Sequence, residues 1–488
     1  RDWELLQALA EPLAQESATS WFLLWVPLRR RAHLRNARDE DIGAIIARYP
    51  GDDTHSDLKF LNDPGLALDL ATILPLLRHL ERIQHQGKPN AFTLELKAEQ
   101  RLLGDPGAER SSGQVVLEFG DSNQVLRFAG MGRQDQDPDQ IFSGLKARAE
   151  WPRSRYRDES GHERPVPDKT RPEAAVLFCS EPLPETRSNL HWAVFLPVEQ
   201  GGELFRFEAG NPGHSLILHG QFFIDAGRKK PHALEDLHCI PKMMGAEPID
   251  DSLLRRTWNQ HLAQRVLLPL VIPALEHYVT AIHLTDAECK RLAQALAQSG
   301  WFQRFKSYVC RSDAWYRTLE PDAEPRWNRI GGLDLDRLRP LPAPPKSALQ
   351  RPWQVFPRLK ASGLLLFDAD APSLSIRQPQ WQEPELDDLL GEVTGLFTDG
   401  PRMEYLTDFI EKWAGPFLKT ERLQLRLITL LRARLITAGR DGRRQHAEKS
   451  RRLFGFVEPM RRLTLAADLP ESVLRDLWSI DRPLLLIP

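Results

Sequence analysis

Apolar residues recur along this chain with two periods, one typical of helices and one of strands. Helical spacing runs through residues 1–16, 40–49, 64–84, 250–282, 383–397 and 403–418. Short apolar runs that indicate strands lie at residues 91–100, 114–120, 191–199 and 218–224. The pattern therefore predicts an α/β fold in the first half of the chain, followed by mainly helical regions in a multidomain protein.

Residues 218–231 join an apolar strand to a group of cations. Phe222 and Phe223 are expected to anchor the strand in a core, and Gly227 then lets the backbone turn. The cations that follow this turn are Arg228, Lys229 and Lys230. We refer to residues 225–230 as the cationic loop.

Three adjacent cations suit a polyanion, and a nucleoside triphosphate is the first candidate. A guanidinium that is held rigidly at a strand end can pair with a phosphate through two parallel hydrogen bonds, which a flexible lysine does not do. The alternative is a strand that runs out into a solvated basic turn. Residue types alone leave both interpretations open.

The order of segments around the loop resembles sacsin-like chains of the GHKL ATPase superfamily. In that family a strand ending in Leu-Pro is followed by a histidine- or asparagine-glycine, an aromatic strand, a small-residue turn and an arginine. The matching residues here are Leu196-Pro197, His219-Gly220, Phe222-Phe223, Ala226-Gly227 and Arg228.

The resemblance extends to the amino end of the sequence. Residues 21–30 look like the closing strand of a GHKL nucleotide-binding domain, which usually ends in Pro-Leu-Arg. The sequence contains no acidic helix residue with a following asparagine, no DxGxG and no glycine-rich lid. Since it also opens at Arg1, inside a helical pattern, we expect a fragment without the ATP-binding half.

The resemblance implies a role for the cationic loop. It would place Arg228 at the γ-phosphate of ATP, bound with Mg²⁺ mainly by a domain outside this chain. Lys229 or Lys230 can take the same role if the register differs by a residue or two. The family resemblance also implies a chaperone-type ATPase that remodels a protein client or partner subunits, and it allows an oligomer.

Composition shifts and the resemblance together suggest a division into regions. The expected regions are the end of a nucleotide-binding domain at residues 1–30, an α/β transducer-like middle domain at 31–245 with a polar insertion at 134–169, a mainly helical region at 246–337, a proline-rich linker at 338–352, and a mixed, mostly helical, arginine-rich module at 353–488.

Composition narrows the class of protein. The 488 residues are 41% hydrophobic and 27% charged, with a net charge of −2, which is ordinary for a soluble globular chain. The longest apolar run, residues 266–275, carries two prolines and is shorter than the roughly twenty residues of a membrane span. Four cysteines without a CxxC pair fit a reducing compartment. We therefore expect a cytoplasmic protein without a membrane span.

Residues 422–462 favour a different function. About eleven arginines lie there against three acids, and helical spacing turns several of them outward together. The arginines expected to bind a polyanion are Arg443, Arg444, Arg451 and Arg452. On this second interpretation the chain is a non-enzymatic scaffold of a bacterial assembly, concerned with defence, that binds nucleic acid or an acidic partner. The plain alternative is that arginine is the usual cation of this chain, since only about fifteen of its 65 basic residues are lysines.

Two groups of residues contain metal-ligand types. Asp334 and Asp336 are two residues apart, which on a strand puts both carboxylates on one side. His232, His238 and Cys239 lie within eight residues but lack a fourth ligand. A solvated turn is the better interpretation of the aspartates, and we expect no metal site at either place.

Overall fold

The architecture is known from a computed structural model of the chain. It describes residues 64–77, 80–85, 91–103, 109–119, 122–134, 155–157, 163–165, 173–180, 189–194, 196–197, 203–204, 213–224, 231, 234, 251–320, 324–341, 362–382, 384–385, 388–389, 463–465 and 485–487. The chain divides into two compact units: Arg1–Ala71, Arg82–Leu94 and Leu117–Asn123 form the first, and Thr72–Glu81, Glu95–Val116 and Gln124–Pro488 form the second.

Both helices and strands are present among these residues. The helices are α1 Pro64–Ile73, α2 Asp251–His261, α3 Val271–Ile282, α4 Asp286–Gln298, α5 Gly300–Val309 and α6 Gly332–Leu335. The first strands are β1 Arg82–His85, β2 Phe92–Ala98, β3 Arg110–Phe119, β4 Ser122–Gln134, β5 Arg155–Arg157, β6 Glu163–Pro165, β7 Glu173–Ser180 and β8 Asn189–Val194. The remaining strands are β9 Leu196–Pro197, β10 Glu203–Leu204, β11 His214–Gly220, β12 Asp313–Thr318, β13 Arg326–Gly331, β14 Leu338–Leu341, β15 Leu365–Asp368, β16 Leu463–Leu465 and β17 Leu485–Ile487. The predicted mixture of helices and strands is confirmed.

The main sheet of the second unit is organised around β11. Its strands follow the order β4-β7-β11-β8-β10, and β9 pairs with β8. β11 is antiparallel to β7 and parallel to β8. All seven of its residues are buried, as expected of an apolar strand that is covered on both faces.

A continuous helical run packs in the core beside this sheet. It passes from α2 through a π-helical turn, Leu262–Leu267, and a 3-10 turn, Leu268–Leu270, into α3. Each proline in the run lacks a backbone N–H, so the helix changes its hydrogen-bond pattern instead of ending. The prediction of a helix that continues past its prolines is confirmed.

The run from Arg255 to Ile282 is long and apolar enough to cross a membrane by length and composition. Its most apolar window is 61% buried inside the protein. Many of its residues belong to the main core, together with Trp192, Phe222 and residues of α4 and α5. A helix that forms the core of a folded domain passes the same test of length and composition, so the packing accounts for its apolar character.

The second sheet has the order β13-β12-β15-β14. Arg317 on β12 links it to the helices, since its Nε lies 2.8 Å from Asp286 Oδ1 and its Nη1 lies 2.5 Å from Asp368 Oδ2. Asp286 begins α4, and a capping box formed by Thr285 and Glu288 closes the amino end of that helix. This guanidinium therefore joins one helix to two strands.

The linker expected at residues 338–352 does not start at residue 338, because a strand occupies its first residues. Its first four residues are β14, in which Leu338 and Leu341 are fully buried and which pairs in parallel with β15. β14 lies at the edge of the sheet, where Pro340 is tolerated because a proline cannot donate to a further strand. The sheet also joins residues on both sides of the expected boundary, and residues 342–361 lie outside the described residues.

Other boundaries also differ from the sequence pattern. The helix expected at 64–84 ends in a 3-10 turn at Leu74–Leu76, which contains Pro75, and a strand follows at Arg82–His85. The polar insertion at 134–169 contains the antiparallel pair β5 and β6. The strand at 191–199 folds back on itself, since Ala193 pairs with Pro197.

Candidate functional site

The root of the cationic loop is the carboxyl end of β11. Gly220 is the last residue of the strand and pairs with Ala174 of β7. One residue further, Gln221 N donates to Glu173 O over 3.3 Å, so the pairing extends past the strand. The loop is thus approached from the most buried strand of the main sheet.

The backbone turns sharply after Gly220. Phe222 N donates to Gly220 O over 2.8 Å. A Cβ on Gly220 would lie 2.6 Å from the Phe222 ring, which is closer than real Cβ contacts, so a larger residue here would have to displace that buried ring. The Phe222 ring is buried and meets the Trp192 ring edge-on, with 5.7 Å between centroids.

Helix α2 holds the next residues through two side chains. The Asn259 amide pairs with both backbone groups of Phe223: Phe223 N donates to Oδ1 over 2.8 Å, and Nδ2 donates to Phe223 O over 2.7 Å. The Trp258 indole N–H donates to Gln221 O over 2.9 Å. Asn259 is fully buried, and its amide pairs with the backbone of Phe223 as a residue of a neighbouring strand would. We call this pair of hydrogen bonds the Asn259 clamp.

The two ends of the cationic loop are brought together. Ile224 and Pro231, the residues on either side of it, form an isolated antiparallel bridge. Arg228, Lys229 and Lys230 themselves lie outside the described residues. Arg443, Arg444, Arg451 and Arg452 also lie outside them, and in that part of the chain only β16 and β17, which pair in parallel, are described.

A second polar cluster lies at the other end of β11. His214 Nδ1 is 2.9 Å from the Tyr278 hydroxyl of α3, and both residues are buried. Burial lowers the pKa of His214 from its ordinary 6.5 to about 4; the carboxylate of Glu288 opposes this change and the cation of Arg291 adds to it. His214 is therefore neutral at physiological pH and serves the packing of the strand.

In the described residues, the side chains that could bind a metal ion do not come together in one place. No group of three His, Cys, Asp or Glu side chains suited to a metal ion occurs there. Asp334 lies in the short helix α6 and not in a strand, and Asp336 Oδ1 is 3.6 Å from Arg377 Nη1. His232, His238 and Cys239 lie outside the described residues.

Two of the buried thiols, those of Cys289 and Cys310, are also unsuited to nucleophilic chemistry. Burial raises the pKa of Cys289 to about 12 and that of Cys310 to about 12, and nearby carboxylates add to both shifts. Both side chains therefore remain protonated at neutral pH, and protonated thiols are poor nucleophiles.

The two helix residues that hold the strand end were not predicted from the sequence. The available signal was the position of Asn259: Ala263 and Val266, four and seven residues later, are core residues, so the asparagine lies on an apolar helix stripe. A buried amide must find partners. Nothing in the sequence indicates that these partners are the backbone groups of Phe223.

Comparison with family models, with curated proteins and with solved structures finds no match for this chain.

We expect Asn259→Ala to destabilise the protein by about 2–3 kcal/mol, because it removes two hydrogen bonds to the partly buried backbone of Phe223. Urea denaturation followed by tryptophan fluorescence measures this change. The matched control is Gln303→Ala on α5, whose exposed amide donates to Ala297 O over 2.7 Å and whose loss should cost less than about 0.5 kcal/mol. Equal effects of the two substitutions would contradict the clamp.

We expect His214 to make stability depend on pH. Because its folded pKa of about 4 lies below 6.5, the neutral ring stabilises the fold above pH 6.5, and this contribution is lost as the pH falls towards 4. The free energy of unfolding should fall between pH 7 and pH 4 by about 3 kcal/mol more in the parent than in His214→Gln. A pH dependence in His214→Gln equal to that of the parent would refute the prediction.

Proposed function

We propose that this chain is the middle and carboxyl-terminal part of a sacsin-like GHKL ATPase, which couples ATP binding in a preceding domain to remodelling of a protein client or partner complex. The observation that supports this most is the anchored root of the cationic loop. The Asn259 clamp and the Ile224–Pro231 bridge restrain the backbone on both sides of the residue that the family resemblance assigns to the γ-phosphate.

A restrained root matters because an arginine that senses a phosphate must not lose its orientation to loop motion. A guanidinium on a rigid support binds a phosphate oxygen pair with little loss of conformational entropy. An arginine in this role is worth roughly 10³ to 10⁵ in turnover. The β11 strand and the α2 helix supply the support here.

ATP and Mg²⁺ are expected to be held mainly by the preceding domain. The described residues offer no carboxylate cluster for the metal ion, while the loop supplies cations that fit the phosphate chain. When bound, ATP supplies the phosphoryl group that passes to water. In this chain, Arg228 would donate hydrogen bonds to the γ-phosphate oxygens and stabilise the charge that develops on them, with Lys229 or Lys230 as its neighbours.

The nucleotide state would reach the rest of the chain through α2. The clamp residue is on this helix, and the helical run continues through the π-helical turn Leu262–Leu267 into the core. A displacement of the strand end would therefore be transmitted to the helical layer, as in domain closure around a ligand. We place this cycle in the cytoplasm, in keeping with the widely spaced cysteines.

We expect Arg228→Ala in the full-length polypeptide to lower ATP turnover by at least about 10³-fold, since the transition-state charge would lose its partner. Steady-state phosphate release measures this loss. Lys290→Ala, which removes an exposed cation on α4, is the control and should leave turnover unchanged. Unaltered turnover in Arg228→Ala, and also in the variant in which Arg228, Lys229 and Lys230 are all replaced by Ala, would exclude the ATPase proposal.

A scaffold that binds a polyanion is the second candidate, favoured by the eleven arginines against three acids in residues 422–462. On this proposal, replacing Arg443, Arg444, Arg451 and Arg452 by Ala should weaken binding of a DNA duplex and flatten its salt dependence, with a slope reduced by up to about four. Filter binding at several salt concentrations measures the slope. A slope equal to that of the parent would count against this candidate.

A further inference from the structure

One edge of the second sheet, at β13, faces no further strand in the described part of the chain. β13 pairs with β12 on its other side. Trp315 of β12 exchanges backbone hydrogen bonds of 2.9 and 3.1 Å with Leu374, so its partner Arg329 turns its own N–H and C=O groups away from β12. The same groups of Trp327 point outward as well, because the pattern repeats every two residues.

This edge strand ends in two glycines that the chain itself does not require. Neither Gly331 nor Gly332 has a positive φ. A Cβ on Gly331 would meet only Asp313 Oδ1 at 3.9 Å, and a Cβ on Gly332 would meet only Ser312 O at 3.7 Å. Both are ordinary contacts, so a larger residue would fit at either position. Glycine in such a place leaves room for another backbone to approach closely.

An apolar side chain is exposed beside these glycines. Leu333 is 89% exposed, more than any other large apolar side chain among the described residues. It follows Gly331 by two residues, which span at most about 7 Å. An exposed leucine at the end of an open strand edge gives a partner an apolar surface to cover.

The charges of this edge leave one carboxylate for a partner. Arg329 Nε is 3.3 Å from Glu276 Oε2, and Arg326 Nε is 3.6 Å from Glu320 Oε1, so both cations of β13 are already paired. Asp334, which follows Leu333, is exposed and forms no ion pair within the described ranges. A cation on the partner would therefore complement this end of the edge.

We propose that the β13 edge binds an extended segment of a partner protein as an added antiparallel strand. The backbone of that segment pairs with Trp327 and Arg329, an apolar side chain covers Leu333, and a lysine or arginine lies beside Asp334. In this mode of recognition the main-chain hydrogen bonds give affinity and the side chains give specificity. The inference goes beyond the proposed function and does not rest on it, because no residue of the cationic loop takes part.

A second copy of this chain fits the same edge less well. In an antiparallel pair of β13 strands, the carboxyl end of each strand lies beside the amino end of the other. Leu333 would then lie past the first residue of the other strand and stay uncovered. Asp334 would come near the Glu324 that precedes that strand, and like charges placed opposite each other are destabilising. A partner of different sequence avoids both problems.

The test uses the chain of residues 1–488 and a labelled peptide, Lys-Leu-Thr-Val-Thr-Val, with binding followed by fluorescence anisotropy. Arg329→Pro should weaken binding at least about tenfold, because it removes an outward N–H donor and places a ring at the edge. The fold tolerates this proline because the lost donor does not bond to β12. The matched control is Arg329→Ala, which loses the same side chain but keeps the donor and should change affinity less than about twofold.

Three further variants test the end of the edge. Gly331→Val fills the open space and should weaken binding about tenfold, with the melting temperature of the chain unchanged. Leu333→Ala should weaken it about fivefold through lost apolar contact. Asp334→Lys should reverse the charge preference, so that a peptide with Glu in place of Lys binds more tightly than the original.

Hydrogen exchange gives a second measurement that does not depend on any variant. The amides of Trp327 and Arg329 should exchange rapidly in the chain alone and become protected when the peptide is bound. Equal affinities of Arg329→Pro and Arg329→Ala would overturn the proposal, as would no binding up to about 1 mM peptide. Protection of these amides that rises with protein concentration alone would show a second copy at the edge, and would overturn it too.

Discussion

The arrangement of the central region depends on one pairing, that of a helix amide with the backbone of a strand end. The sheet has finished its regular ladder at Gly220, yet Phe223 still needs partners for its N–H and C=O groups in a largely apolar surrounding. Asn259 supplies both at 2.7–2.8 Å. Because an unpaired buried peptide group costs about as much as a hydrogen bond gains, the helix and the strand end are held in a fixed register.

The core next to this pairing contains several aromatic rings in contact. Once the helix is held against the strand end, Phe222 is directed at Trp192, and Trp192 meets Phe305 of α5 as well, with ring centroids 5.9 Å apart. Edge-to-face ring contacts of this kind add to the free energy gained by burial. A polar contact of fixed geometry and a non-directional apolar core thus act together: the first sets the register, and the second supplies most of the stabilisation.

Much of this could be predicted from the sequence, and the failures have physical causes. The long helical run followed from apolar periodicity, because that pattern is local. The strand expected at residues 218–224 was misplaced: β11 is His214–Gly220, and the backbone turns after it, so Phe222 and Phe223 lie beyond the strand end. The start of the linker was misplaced, because a high proline content also suits an edge strand. The Asn259 clamp was missed because its partner lies 36 residues away, and residue types do not specify which backbone group an amide will meet. The positions of the cationic loop and of the carboxyl-terminal arginines are beyond the described residues, so both remain predictions.

The parallel pairing of β14 with β15 constrains how the chain can be divided. The residues that join these two strands pass through the proline-rich stretch, so a cut there would leave each fragment with one strand of a pair that shares hydrogen bonds. Neither fragment alone could supply hydrogen-bond partners for the backbone of its unpaired strand. The buried Arg339, which pairs with Glu385 through two contacts of 2.5 and 2.8 Å, would be separated from that carboxylate by the same cut. The two pieces would have to reassociate non-covalently to restore the sheet, which makes this stretch a natural point for split-protein complementation and not for separating independent domains.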